Sequence, residues 1–256
     1  MFLTIHIGNS NLLVAAYEGR QMLFRSQLRT DPFETADEYA IGLKNLLLLY
    51  GHQPAQLNGA ILSCVAPALA GTLRQAVQLL CGKRVLTVGP GLKTGLNIRI
   101  DNPAELGADI VATAVAALEQ YPAPCLLVNF DTALTVMAID GSRALIGGCI
   151  SPGVRLSLQA LYTHAAQLPQ IDLAQQPQSV AGASTVASME AGLILGNAAM
   201  VDGLIDRFGD LLGQAPAVVA TGELCREICA HCRHEIAIEE NLVTDGLCLI
   251  YLKNAR

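Results

Sequence analysis

Two stretches of the chain repeat one order of elements, and that repeat limits the possible folds more than any other feature. "FLTIHIGNSNLLVAAYEGRQML", residues 2–23, reads as apolar strand, polar turn, apolar strand, then an acidic-glycine turn ("YEGR") into a third strand. "LLVNFDTALTVMAIDGSRALIGG", residues 126–148, runs through the same order with one gap, its acidic-glycine turn being "IDGSR". A hairpin sheet leaves an apolar face that only a second layer can cover. Two such units backed by helices predict an α/β chain of two duplicated lobes with a cleft between them, where ligands collect. The lobe boundary is expected near residue 120, giving lobes 1–119 and 120–256.

The intervening text supplies the second layer. After the first hairpin come a helical stretch "DEYAIGLKNLLLLYG", a buried-strand run "GAILSCVAP", a helix "ALAGTLRQAVQLLCG" and a short strand "RVLTVG". In "DNPAELGADIVATAVAALEQYP", Asn102 is a candidate cap, Pro103 suits a first helical position and Glu105 completes a capping box, so a helix is predicted from Pro103. The second lobe adds "SPGVRLSLQALYTHAAQL", with Leu158, Leu161, Tyr162 and Ala165 on one face. A long helix after Thr185, a strand "AVVATG" and a last helix containing "LCLIYLKNA" follow.

With 256 residues, 52% of them hydrophobic and 15% charged, the chain can bury a sizeable core. The net charge of −6 argues against broad contact with nucleic acid or an anionic membrane, and points to small-molecule work. No basic region is followed by a long apolar core, so a cytoplasmic protein without a membrane segment is expected. Five of the eight cysteines (Cys64, Cys81, Cys125, Cys149, Cys248) lie in apolar runs as small hydrophobes. Cys225, Cys229 and Cys232 in "CREICAHCRH" fall at i, i+4 and i+7, beside His231 and His234. That spacing fits either a zinc site or, as the favoured reading, the ordinary core stripe of a helix.

Few residues here could carry chemistry. Gly8, Asn9, Ser10 and Asn11 form a turn rich in short donors and exposed backbone N–H groups, as a phosphate cradle requires. His6 at its edge is unexpected, because imidazole is a poor ligand for magnesium. Asp109 is the one charged residue between Glu105 and Glu119, among small apolar neighbours, and a general base for a hydroxyl group is the natural role. With the helix starting at Pro103, Asp109 would lie about two turns in, beyond the reach of a simple helix-terminus preference. "VGPGLKTG", residues 88–95, lacks the spacing of a nucleotide P-loop. "GGCISPG", residues 147–153, reads either as backbone opened for a ligand ahead of a helix or as a tight connection.

Taken in order, "IGNSN", "DNPAELGAD", "DTALT", "GGCISPG", "STVASMEAG" and "VVATG" resemble the type III pantothenate kinases along essentially the whole chain. The resemblance implies two RNase H-like lobes of the actin-like, hexokinase-like ATPase superfold. It also implies ATP-dependent phosphorylation of pantothenate to 4'-phosphopantothenate at the start of coenzyme A synthesis. By the same resemblance Asp109 is the base, Gly8, Asn9, Ser10, Asn11 and Thr132 hold the phosphates of ATP with magnesium, and Gly107 and Ala108 lie at the substrate. A monovalent cation, potassium or ammonium, would sit near Asn129. The family forms dimers, and Thr185 would reach the pantothenate pocket of the neighbouring subunit.

Several positions depart from the pattern that the resemblance sets. His6 stands for an aspartate, Ile110 for the arginine that ends a GADR element, Asn129 for the aspartate of a "DFGTA" element and Asp131 for its glycine. Ile100 replaces a tyrosine ahead of "DNP", and Glu223 the second glycine of a "TGG" element. A carboxylate moved from position 129 to 131 travels about 6–7 Å along a strand, too far to serve the same ligands. Phosphoryl transfer rests on positioning and charge neutralisation. The expectation is therefore a kinase impaired when alone, as a homodimer, or a non-catalytic subunit that completes the site of an intact paralogue in a heterodimer.

Overall fold

The computed structural model describes residues 1–173 and 176–255. The chain opens with β1 (Phe2–Ile7), β2 (Asn11–Glu18) and β3 (Gln21–Arg29), then α1 (Ala36–Leu49), β4 (Ala60–Cys64), α2 (Pro67–Cys81) and β5 (Val85–Thr87). α1 starts where it does because Thr35 Oγ1 accepts from the Glu38 N–H while the Glu38 carboxylate accepts from the Thr35 N–H, a full capping box. α2 begins on Pro67 and ends at Gly82, whose φ of 61° is the left-handed cap that glycine adopts without a Cβ penalty. β6 (Asn97–Ile98) and α3 (Ala108–Gln120) follow, then the second hairpin set, β7 (Cys125–Phe130), β8 (Ala133–Ile139) and β9 (Ala144–Pro152). The chain closes with α4 (Val154–His164), α5 (Thr185–Leu212), β10 (Ala217–Gly222), α6 (Cys225–Cys229), β11 (Ala237–Ile238) and α7 (Leu242–Asn254).

The repeat in the sequence is a repeat in topology. The first sheet runs β3-β2-β1-β4-β5 and the second, read from its β9 side, β9-β8-β7-β10-β11, with β6 added outside β9. Within each, the hairpin strands pair antiparallel and the strands that follow helices pair parallel, as crossover connections dictate. Each sheet has its own core. Leu3, Ile5, Val14, Leu43, Leu62 and Leu73 pack in the first, and Leu126, Val128, Val136, Ile194, Val201 and Ala220 in the second.

Two compact units result, one of residues 1–96, 101–119 and 241–256, the other of 97–100 and 120–240. The expected second lobe, 120–256, thus differs at its end, since α7 packs on β1, β2 and β4. Phe2 stacks on Tyr251 with ring centroids 4.0 Å apart, and the Tyr17 hydroxyl donates to Asp245 Oδ1 at 2.7 Å. Gly246 lets α7 cross α3 closely, for a Cβ there would overlap the carbonyl of Ala112.

The helix predicted from Pro103 also differs. Asn102, Pro103 and Glu105 make a short 3-10 turn at Pro103–Glu105, Leu106 is extended, and α3 starts only at Ala108. The Asn102 side chain serves that turn, accepting from the Ala104 N–H and donating to Glu105 Oε1 at 2.7 Å. Asp109 therefore sits in the first turn of α3, not two turns into a longer helix.

Candidate active site

In the first unit the "GNSN" turn joins β1 to β2. Gly8 N–H donates to the Asn11 carbonyl at 3.0 Å, and a Cβ on Gly8 would crowd that same oxygen, so glycine is required. Thr30 fixes the turn from the neighbouring strand end, its N–H on the Ser10 carbonyl at 2.9 Å and its hydroxyl on the Gly8 carbonyl at 3.0 Å. Asn9 and Ser10 are exposed at the tip. His6, 4% exposed, places its Nδ1 3.2 Å from Ser63 Oγ on β4. Ser63 was not legible as a partner, because the pairing of β1 with parallel β4 joins residues far apart in sequence.

The same unit carries Asp109. Its carboxylate folds back over the helix start, so that a Cβ on Gly107 would overlap Oδ1. The first turn of a helix favours a negative charge through its unpaired N–H groups and dipole. The residue is half-buried, with Ile110 following it as a neutral side chain. Thr113 ties its hydroxyl to the Asp109 carbonyl at 2.7 Å, a bond inside α3 that leaves the carboxylate untouched. The "VGPGLKTG" loop serves α7 instead of a ligand, since Lys253 Nζ donates to the Thr94 carbonyl at 2.8 Å and Lys93 N–H to Asn254 Oδ1 at 3.1 Å.

In the second unit the turn at residues 131–132 joins β7 to β8. Asp131 Oδ1 accepts from the Thr132 N–H at 2.8 Å, so a carboxylate of the chain occupies a backbone donor of that turn. Gly153 packs against the turn, with its N–H on the Thr132 carbonyl at 3.0 Å and no room for a Cβ. The "GGCISPG" segment is the second half of β9 with Gly153 after it: Gly148 abuts the Val136 carbonyl of the paired strand β8, and α4 opens at Val154, not at Pro152. Asn129 is half-buried on β7, opposite Thr135 and Thr221.

Glu223, just past β10, receives a two-pronged hydrogen bond from Arg155 at 2.9 and 2.6 Å. Both side chains are more than half exposed, so the pair adds little stability, but it matches the guanidinium charge beside the N-terminus of α4. No spacing in the sequence connects Arg155 with Glu223. Thr185 is the first residue of α5, exposed, and Ser184 caps the helix by accepting from the Ala187 N–H at 3.2 Å. A groove of about 790 Å³ runs beside it, lined by Leu161, Leu168, Ser188, Met189 and Leu193 among others.

The cysteine stripe is partly a turn. α6 ends at Cys229, and Cys232 lies beyond it; Cys225 belongs to the core and the other two pack against it. Among the described residues no three His, Cys, Asp or Glu side chains converge on a metal position. In the first unit His6 offers an imidazole already engaged with Ser63, and in the second Asn129 offers a neutral amide; neither position supplies the carboxylate that would hold a hard cation there. Among the described residues no helix is long and apolar enough to cross a membrane.

A model of the type III pantothenate kinase family matches residues 2–207. A type III pantothenate kinase of an Anaeromyxobacter species is 40% identical over 254 residues, covering 99% of this chain and 100% of the relative. One from an Exiguobacterium species is 40% identical over 256 residues, covering 100% of both. Among solved structures, a Baf family protein of Campylobacter jejuni aligns with TM-score 0.63 at 16% identity over 99% of each chain. A ROK hexokinase from Thermus thermophilus aligns with TM-score 0.52 at 13% identity over 98% of each, which speaks for the fold alone. The fold is that of the actin-like, hexokinase-like ATPases with two duplicated α/β lobes, and the chain belongs to the type III pantothenate kinase family.

Proposed function

We propose that the chain transfers the γ-phosphoryl group of ATP to the hydroxyl of pantothenate, forming 4'-phosphopantothenate, and that it does so slowly on its own. The observation that carries this reading is the Asp109 carboxylate, half-buried in the first turn of α3 with Gly107 leaving it room. As the pantothenate oxygen attacks phosphorus, Asp109 takes the hydroxyl proton and the bond from phosphorus to the ADP oxygen breaks. Gly107 and Ala108 bring backbone close to the substrate, while the turn at Gly8–Asn11 offers N–H groups and Thr132 its hydroxyl to phosphate.

The slowness follows from charge. His6, Ile110 and Asn129 supply neither a carboxylate nor a guanidinium, and Asp131 adds a negative charge where phosphate would seek a donor. Purified chain supplied with MgATP and pantothenate should yield phosphopantothenate and ADP in equal amounts. Absence of that product at any enzyme concentration would remove the reading.

A second reading is favoured by Thr185. It is exposed at the start of a capped 28-residue helix, beside an open groove, where it can serve a neighbouring subunit. We propose on this basis that the chain pairs with an intact paralogue and completes the paralogue's pocket, using the self-complementary surface that symmetric dimers provide. Co-expression, co-purification and a kinase assay with Thr185→Val in this chain alone test it. Failure to co-purify, or unchanged activity of the pair, would overturn it.

A further inference from the structure

"CAHC", residues 229–232, is a Cys-x-x-Cys segment that the kinase reading leaves unused. Its backbone is a tight turn: the Cys232 N–H donates to the Cys229 carbonyl at 3.1 Å and the His231 N–H to the Ile228 carbonyl at 3.0 Å. Hydrogen bonds of this i to i+3 kind eclipse the side chains at i and i+3, and they bring the two Cα atoms within the range a disulfide spans. The two thiols are free and partly buried, and the Cys232 thiol donates to the Ile228 carbonyl at 3.6 Å.

From this geometry we infer that Cys229 and Cys232 form a reversible redox pair that closes to an internal disulfide by exchange with a low-molecular-weight disulfide. The neighbouring Cys229 thiol holds that of Cys232 below its ordinary range, against burial and the nearby Asp202 carboxylate. In the proposed exchange Cys232 makes the first attack. Its thiolate attacks one sulfur of the small disulfide, whose S–S bond breaks and releases one thiol. Cys229 then gives up its proton, attacks the Cys232 sulfur of the mixed disulfide and releases the second thiol. Two protein thiols are oxidised and one small disulfide is reduced to two thiols.

The surroundings give the pair a structural reach. Cys232 Sγ contacts the Ala198 carbonyl of α5 at 3.8 Å, and the next residues are held to α5 by Asp202, whose carboxylate accepts from the Arg233 N–H at 2.9 and 3.0 Å. Cys225, one turn earlier, is buried in the core and lies outside the turn. Cys125 and Cys248 are buried, with their thiols pushed up to about 12 by desolvation, which keeps them unreactive.

The test uses the whole native chain. It is incubated with oxidised glutathione, quenched by alkylation and cleaved after arginine, which isolates residues 227–233 with both cysteines on one peptide. We expect that peptide to lose two hydrogens in mass and escape alkylation before Cys125 or Cys248 reacts, with full reversal by a dithiol reductant. Cys225→Ser should leave the result unchanged, while Cys229→Ser should trap a stable glutathione adduct on Cys232. A wild-type peptide alkylated at both positions, a persistent glutathione adduct in the wild type, or a bond from either residue to another cysteine would each overturn the inference.

Discussion

Asp131 folds its carboxylate onto the backbone N–H of its own neighbour, Thr132, at 2.8 Å. The donor a phosphate would use in that turn is thereby satisfied from within, and a negative charge stands beside it. A hydrogen bond to a charged group contributes about 1.5–3 kcal/mol. Asp131→Gly should therefore tighten MgATP binding roughly tenfold or more. Asp131→Asn, which keeps an acceptor but removes the charge, should fall between the two. Titration calorimetry on the three proteins separates charge from blockage, and equal affinities would refute both contributions.

Asp109 and Gly107 are expected to act together. If Asp109 is the general base proposed above, Asp109→Asn should lower kcat by about 10²–10⁴ without changing thermal stability appreciably, because the base is lost but the fold is not. Gly107→Ala forces a methyl group into the space of Asp109 Oδ1 and should lower kcat through displacement of the carboxylate. If Gly107→Ala were as active as the wild type, the packing seen at the start of α3 would have no bearing on turnover.

Gly246 makes a prediction about the scaffold under that helix. A Cβ there overlaps the Ala112 carbonyl, so Gly246→Ala must push α7 from α3, at a cost of about 1–3 kcal/mol. Gly192→Ala on α5 meets no atom within 4 Å and should instead stabilise the chain by about 0.5–1 kcal/mol through helix propensity. Urea denaturation of both variants checks the contrast, and equal effects would contradict the close crossing.

Much of this architecture was legible because it is local. Alternating apolar residues around "GNSN" and "DTAL" gave the hairpins, and the helices found at 36–49, 67–81 and 185–212 lie where helical stretches were read. The start of α3 did not, because Asn102, Pro103 and Glu105 carry a capping signature that closes a 3-10 turn and stops. Where α7 belongs was equally hidden, since helical periodicity does not say which sheet an apolar face covers and the packing on β1, β2 and β4 is tertiary. At the site, the residue types at 6, 110, 129 and 131 could be read directly. The Ser63 partner of His6, the bond from Asp131 to Thr132 and the pairing of Arg155 with Glu223 depend on contacts that spacing does not encode.

Alkaline stability should fall in a defined window. Burial, and then the hydrogen bond to Glu239, push the Tyr121 hydroxyl up to about 12 from 10.0, and burial alone pushes the Cys125 thiol up to about 12 from 9.0. Tyr17 shifts upward too, mainly through burial. Each folded group keeps its proton after the unfolded chain has lost it, so their contribution is complete below about pH 9 and disappears as pH rises toward 12. Tyr121→Phe should flatten the slope of stability against pH above 10, measured by urea midpoints. An unchanged slope would mean that Tyr121 ionises as freely folded as unfolded.

The most direct measurement is turnover of pantothenate by four restored positions in one chain: His6→Asp, Ile110→Arg, Asn129→Asp and Asp131→Gly. Groups that act on one transition state are not additive, so the four together should raise phosphopantothenate formation far beyond any single change. Adding Asp109→Asn to the restored chain should abolish the gain. A restored chain that makes no product, or one whose activity survives Asp109→Asn, would contradict a pantothenate kinase site held back by these residues.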